Sequence, residues 1–113
     1  MSPQQKQAFA TTLGQARDAY RAGQWQRAFA LLEQAHILGQ RRVGMHVLSH
    51  WWMLKVGWRT RNWTEVRGQL LRLPAALLLS RLWVPEGNTG GANVSPVKPM
   101  PIPDNLLTVM EKH

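Results

Sequence analysis

The sequence predicts an all-α protein of two stacked antiparallel helical hairpins, with four to five helices and a C-terminal strap rich in glycine and proline. Three observations lead to this prediction. The segment Tyr20–Ala28 recurs 38 positions later as Trp58–Val66, with an aromatic–arginine pair before a short polar break and an amide–tryptophan pair after it. Apolar residues recur at helical spacing before Trp83, and the composition changes abruptly after it. A repeat of this period is typical of stacked helical hairpins.

The first helix has recognisable signals at both ends. Ser2 is suited to cap it, with Pro3 at the first helical position and Gln5 at the capping-box spacing. The helix is expected to reach about Ala22, and Gly23 ends it. Its inward stripe comprises Phe9, Leu13, Ala16 and Tyr20.

The second and third helices follow with short connections. The second is predicted from about Gln24 to Leu38, with Gly39 as a left-handed terminator, and the third from about Arg42 to Thr60. The second presents Trp25, Ala28, Phe29, Leu32 and Ala35 inward, and one face of the third carries Val43, Val47, Trp51, Leu54 and Trp58.

The fourth helix contains a proline. Asn62 is placed to cap it, and the helix begins at Trp63. Pro74 must either kink this helix or start a new one that reaches about Trp83. The apolar stripe of the fourth helix comprises Val66, Leu70 and Leu73.

Residues 84–113 form a segment distinct from the helical-hairpin domain of residues 1–83. Turn-forming residues dominate its first ten positions, and four prolines then favour an extended path. Asp104 can cap a short final helix. The prolines are interleaved with apolar residues, which favours an ordered strap packed on the same domain over a disordered tail; these are Val94, Val97, Met100 and Ile102.

The composition limits the possible classes of function but does not select one of them. Fourteen Lys and Arg stand against six Asp and Glu, which gives a net charge of +8. Such a surface attracts nucleic acid, anionic lipid or an acidic partner, but no nucleic-acid-binding motif accompanies it, so we interpret it as a solvated basic surface. Without cysteine, disulfides and thiolate ligands are excluded. The sequence offers neither a secretory leader nor a membrane span, which predicts a cytoplasmic location.

The histidines are the residues best suited to chemistry. His46 and His50 are four positions apart, the spacing with which one helix face chelates a divalent metal. If the second and third helices form a hairpin turning near Arg41, His36 lies at the height of His46, and Glu33 lies near the height of His50. Three imidazoles with a carboxylate are a suitable ligand set for Zn²⁺, Ni²⁺, Co²⁺ or Cu²⁺.

The alternative is that these histidines are structural. A pair at this spacing also occurs without metal, and a partly buried histidine commonly bonds a carbonyl or a helix end. Catalysis is not predicted, because the sequence has no His-Glu-x-x-His motif and no nucleophile elbow. Ser49 is adjacent to His50 and therefore points to another side of the helix.

A second hypothesis is a protein–protein interaction module or a homo-oligomer. Trp52 cannot share a face with Trp51 and is expected at a second interface, under the strap or against a partner, with Arg59 and Arg61 as further contacts. Non-specific nucleic-acid binding, through the tryptophans and arginines of residues 58–67, is the least favoured hypothesis.

Part of the first hairpin resembles the second half of a tetratricopeptide repeat. In this pattern a helix end is followed by an aromatic residue and then by small, bulky and small packing positions: Gly23, Trp25, Ala28, Leu32 and Ala35. The second copy departs from it, since Arg61 replaces the glycine. The resemblance implies helix-hairpin geometry, and two copies favour a compact bundle over a grooved array.

A wider resemblance covers nearly the whole chain. The strings Ala35–Gln40, His46 with His50–Leu54, and Pro85–Val94 with Pro99–Pro103 resemble a family of small bacterial proteins catalogued as domain of unknown function 3703. The resemblance includes the three histidine positions and a loop that could close over the site, with Glu86, Asn88 and Asn93. Members of that family are often found beside metal-resistance genes, which favours the metal hypothesis without implying an activity.

Overall fold

The computed structural model describes residues 1–79 and 85–110, and in these residues the protein is all-α with no strand. The five helices are α1 (Pro3–Arg21), α2 (Trp25–Gly39), α3 (Val43–Arg59), α4 (Trp63–Leu79) and α5 (Asp104–Met110). Helices α1 and α2 form one packed hairpin and α3 and α4 the other, with α2 against α3. The predicted fold class is therefore confirmed.

The core lies mainly between α1, α2 and α3. Its largest fully buried apolar side chains are Leu32, Leu38 and Met53. Small residues on α1 and α2 let the two backbones approach closely. The remaining core members are Phe9, Leu13, Ala16, Ala19, Ala28, Ala35, Ile37, Val56 and Leu106.

The repeated turn has the same backbone in both copies. Gly23 has φ 73° and Arg61, its equivalent, has φ 55°, so both lie in the left-handed region. The tryptophan after each turn packs edge-on against the aromatic residue before it, with ring centroids 5.4 Å apart in both pairs. The repeat therefore fixes the geometry of each hairpin.

The helix caps follow the sequence signals, with one difference. Ser2 Oγ accepts from the Gln5 amide, and Asn62 Oδ1 accepts from the Glu65 amide. The side chain of Gln5 does not close a capping box, because its Nε2 donates to the Leu38 carbonyl on α2. Gln5 thereby joins the two helices of the first hairpin.

Gly39 was predicted as a left-handed terminator, and that prediction is wrong. It is the last residue of α2, its φ is not positive, and Arg42 donates its amide to the Gly39 carbonyl. A β-carbon at Gly39 would lie 2.7 Å from Phe9 Cε1 and from Met45 Cβ. The missing side chain of Gly39 therefore lets α1 and α3 approach the end of α2 closely, and no special backbone conformation is involved.

The predicted inward face of α3 is also wrong. Trp51 and Trp58 are 48% and 62% exposed. The residues of α3 that face the interior are His46, Ser49, His50, Met53, Val56 and Gly57. Apolar residues occur on all sides of this helix, so their spacing alone did not select the buried face.

Pro74 lies inside α4, which continues to Leu79. The alternative of a new helix reaching Trp83 lies partly outside the described residues, which exclude 80–84. The apolar stripe of α4 is only partly inward, since Val66 is buried while Leu70 is 55% exposed.

Residues 85–103 pack on the hairpins by specific hydrogen bonds. Gln40 donates to the Pro85 carbonyl and accepts from the Gly87 amide. Asn88 Nδ2 donates to two carbonyls farther along the strap, at 2.7 Å each. Among the predicted anchors, Ile102 packs against the core, whereas Val97 is 62% exposed.

Helix α5 contributes Leu106 to the core and contacts α1 and α2. Across the described ranges, no helix combines the length and apolar character needed to cross a bilayer.

Two glycine-to-alanine changes should have opposite effects on stability. Gly39→Ala should lower the free energy of unfolding by about 1–3 kcal/mol, because the new methyl group meets Phe9 and Met45. Gly14→Ala, in the middle of α1 with nothing within 4 Å of the new carbon, should raise it by up to about 1 kcal/mol. Urea denaturation followed by circular dichroism measures both, and equal effects would contradict the close-approach role of Gly39.

Candidate metal centre

Three histidines come together between α2 and α3. His36 is supplied by α2, while His46 and His50 are supplied by α3, and all three are buried. Their ring centroids lie 4.6–4.9 Å apart, and one nitrogen from each lies within 4.8 Å of the other two. The structure thus brings together His36 and His46, which the predicted hairpin placed at the same height, with His50 one turn farther along α3.

The tautomer of His36 is set by a backbone carbonyl. His36 Nδ1 lies 2.7 Å from the Asn88 oxygen. A carbonyl can only accept a hydrogen bond, so Nδ1 carries the hydrogen and donates it. In the neutral ring, Nε2 then carries a free lone pair.

The tautomer of His50 is set by an amide of fixed orientation. Gln69 Nε2 donates to Glu65 Oε2 at 2.5 Å and to the Gly90 carbonyl at 2.8 Å. These acceptors require the nitrogen end of the Gln69 amide, so its Oε1 faces His50 and accepts from Nδ1 at 2.6 Å. His50 Nε2 therefore carries a free lone pair as well.

The two free lone pairs face each other. The Nε2 atoms of His36 and His50 are 3.1 Å apart, and neither has a hydrogen to donate when both rings are neutral. Two nitrogens bound to one tetrahedral ion with bonds of about 2.0–2.1 Å would be about 3.3 Å apart. In the described part of the chain, the buried His46 Nδ1 also lacks a hydrogen-bond partner. The His36 and His50 donor atoms thus have the spacing of two ligands of one ion, and the three histidines together could hold a metal ion.

The cluster is neutral near pH 7. Burial, together with the neighbouring His50 and His46, holds the pKa of His36 well below its usual range. Burial lowers the pKa of His46 to about 4, and burial with the nearby His46 lowers that of His50 to about 3. The imidazoles are therefore in the state that metal ligation requires.

Glu33 is not brought into this group of ligand atoms. Its carboxyl group is half-buried, and burial and the neighbouring Glu65 raise its pKa. Its assignment as a fourth ligand stays a prediction.

The three residues of the predicted closing loop do not all lie at the site. Asn88 is buried over the site, and its Oδ1 accepts from the Gly90 amide. Glu86 instead forms an exposed ion pair with Arg41 at 2.7 Å, and Asn93 is exposed. Only Asn88 contacts the histidines through a described hydrogen bond.

The predicted partner-contact residues lie on another side of the hairpins. Trp52 is half-buried, with its ring centroid 5.3 Å from that of Tyr20. Arg59 lies over the Tyr20 and Trp25 rings, and Arg61 is exposed at the second turn. Their role in binding a partner stays a prediction.

Sequence reasoning missed three residues of the site, all on α4. Glu65 and Gln69 are buried, and the Glu65 carboxylate accepts from the Ala92 amide as well as from Gln69. Arg72 lies on the same side of α4. The signal in the sequence was a polar residue every three or four positions through an apolar helix, which marks a buried polar face when the apolar residues point outward.

The histidines line a cavity of about 310 Å³. Its other described lining residues are mostly apolar, with Arg72 and Asn88 as the polar ones: Leu71, Arg72, Ala75, Ala76, Leu79, Pro85, Asn88, Gly90, Pro96 and Val97. No carboxylate belongs to this described lining.

The metal-free protein should lose stability in mild acid. In the unfolded chain each histidine takes up a proton below about pH 6.5, whereas the folded cluster resists protonation until about pH 4 or lower. The stabilisation is therefore complete above pH 6.5 and falls as the pH decreases. Between pH 7 and pH 5 the loss should be up to about 2 kcal/mol per histidine. Urea denaturation in the presence of a chelator measures it.

His50→Gln removes one of these groups. It should reduce the slope of the free energy of unfolding against pH by the contribution of about one proton. His113→Gln, at the fourth histidine of the chain, is the matched control. A wild-type free energy of unfolding that does not change between pH 7 and pH 5 would show that the cluster is not held neutral.

One family comparison covers most of this fold and site. The family model described as a protein of unknown function (DUF3703) matches residues 3–110, which include all five helices and the three histidines. Neither a curated protein nor a solved structure matches the chain. The tetratricopeptide resemblance stays a prediction. Because the match spans nearly the whole sequence, the chain belongs to the DUF3703 family.

Proposed function

We propose that the protein binds a divalent transition metal through His36, His46 and His50. The observation that supports this most strongly is the pair of Nε2 lone pairs 3.1 Å apart, whose orientation Asn88 and Gln69 impose. Facing lone pairs repel each other, and a cation between them converts that repulsion into ligation. Acceptors at the far nitrogen of a ligand histidine are the usual support of protein metal sites.

The donor set selects the kind of metal. Imidazole nitrogens suit Zn²⁺, Ni²⁺, Co²⁺ and Cu²⁺, whereas Mg²⁺ and Ca²⁺ require oxygen ligands. The role proposed is binding or sensing rather than catalysis, because the described lining offers no carboxylate to act as a general base. We place this role in the cytoplasm.

Metal should stabilise the untagged protein against heat. At a free metal concentration about a hundred times Kd, the gain is about 2.7 kcal/mol, which is a rise in Tm of roughly 10 °C. His46→Ala should abolish the rise, and His113→Ala should leave it unchanged. Gln69→Leu should weaken metal binding about 10–100-fold, because the acceptor that orients His50 is lost.

Differential scanning calorimetry and competition with a chelating dye measure these effects, and elemental analysis gives the stoichiometry. One metal per chain is expected. Binding no tighter than that of His46→Ala would refute the proposal.

A protein-interaction role is the second candidate, because large apolar side chains are exposed on the second hairpin. Trp58 is 62% exposed and Trp63 is 51% exposed. On α4, exposed leucines are Leu70, Leu71, Leu77, Leu78 and Leu79. Large exposed apolar side chains mark interaction sites where they form one patch. Light scattering after size-exclusion chromatography in chelator tests it, and a concentration-independent monomer would argue against self-association.

A further inference from the structure

We propose that the cavity beside the three histidines binds a small carboxylate with an apolar tail, whose carboxylate contacts both the metal and Arg72. This inference rests on the proposed metal site and names the ligand that shares it. Three features support it: the charge of the cluster, the guanidinium group of Arg72, and the apolar walls of the cavity.

A divalent ion at the cluster would give the site an excess of positive charge. Three neutral imidazoles supply no negative charge to a divalent ion, and Arg72 lines the same cavity with a positive charge. The nearest described carboxylate hydrogen-bonded into the site is Glu65, which lies behind Gln69 and also accepts from the Ala92 amide. A buried excess of positive charge is costly, and an anionic ligand would offset it.

Arg72 brings a guanidinium group to the wall of the same cavity. Its Nη2 donates to the Val94 carbonyl at 2.9 Å, which holds the side chain against the strap. Among the described residues, its buried Nε has no hydrogen-bond partner. A guanidinium group binds carboxylates through paired N–H donors, so this group is suited to the second oxygen of a metal-bound carboxylate.

The rest of the cavity is apolar. Leu71, Ala75 and Val97 are exposed apolar residues that line it, and Pro96 lies beside them. Its volume of about 310 Å³ is at the small end of the range for small-molecule sites. A carboxylate with a tail of about five carbons would cover these side chains while its head group reaches the histidines.

Hexanoate and the Co²⁺-loaded protein form the direct test. Binding of the carboxylate to the metal should change the visible absorption of Co²⁺, and calorimetry gives the affinity. Acetate tests the need for the tail, and hexylamine tests the need for negative charge. Hexanoate should bind at least about tenfold more tightly than acetate, since its additional methylene groups are buried against the apolar walls.

Arg72→Met keeps most of the apolar stem and removes the guanidinium. It should weaken hexanoate binding at least about tenfold, measured on protein that is fully loaded with Co²⁺. Arg72→Lys keeps the charge and should recover part of the affinity. Arg67→Met, at an exposed arginine of α4 outside the cavity, is the matched control and should bind hexanoate normally.

The outcomes separate this inference from the proposed function. Failure of Co²⁺ to bind, measured before any carboxylate is added, refutes the metal site itself. If Co²⁺ binds but hexanoate leaves its spectrum unchanged, the carboxylate site is refuted and the metal site stands. Equal affinity for acetate or for hexylamine likewise overturns the assignment of an apolar anion. An Arg72→Met protein that binds hexanoate like the Arg67→Met control overturns the role of Arg72.

Discussion

The hydrogen bond between His36 Nδ1 and the Asn88 carbonyl is the contact on which the arrangement of the site depends. A buried imidazole is costly unless its polar atoms have partners, and this one receives its partner from a residue 52 positions away. Asn88 can offer that carbonyl because its side chain holds the strap in place through Ser95, Lys98 and Gly90. One residue therefore both folds the strap and fixes the histidine tautomer.

Gln69 has a similar double role on the other side of the cluster. Gln69 joins α4 to His50 and, through the Gly90 carbonyl, to the strap. Gly90 itself has φ 85°, and a β-carbon there would lie 2.6 Å from the His36 ring. Helix pairs and strap thus meet at the histidines, and each of them contributes an acceptor or a ring to one small volume. The Nε2 atoms of His36 and His50 point away from these acceptors and face each other.

The parts of the structure that the sequence predicted are those set by local chemistry. Each of the two turns is encoded within nine residues. Gly23 and Arg61, at equivalent positions in them, both adopt the left-handed backbone conformation. The pairing of His36 with His46 followed from hairpin geometry, and that of His46 with His50 followed from their four-residue spacing on one helix. Under the 38-residue offset, the histidines have no histidine counterparts, so the repeat builds the scaffold and the stretch between its copies carries the cluster.

The structural features that the sequence did not predict depend on tertiary contacts. The buried face of α3 carries His46 and His50, and His50 finds its partner in Gln69 on α4, a contact that no local pattern contains. Gly39 resembles a helix terminator, and only the approach of Phe9 and Met45 explains its role. Helices α2 and α3 hold the three rings, yet the acceptors for two of them lie beyond Trp63. A nascent chain emerging from the ribosome would therefore present its histidines long before the residues that orient them, so an assembled site would also report that synthesis had passed Gly90.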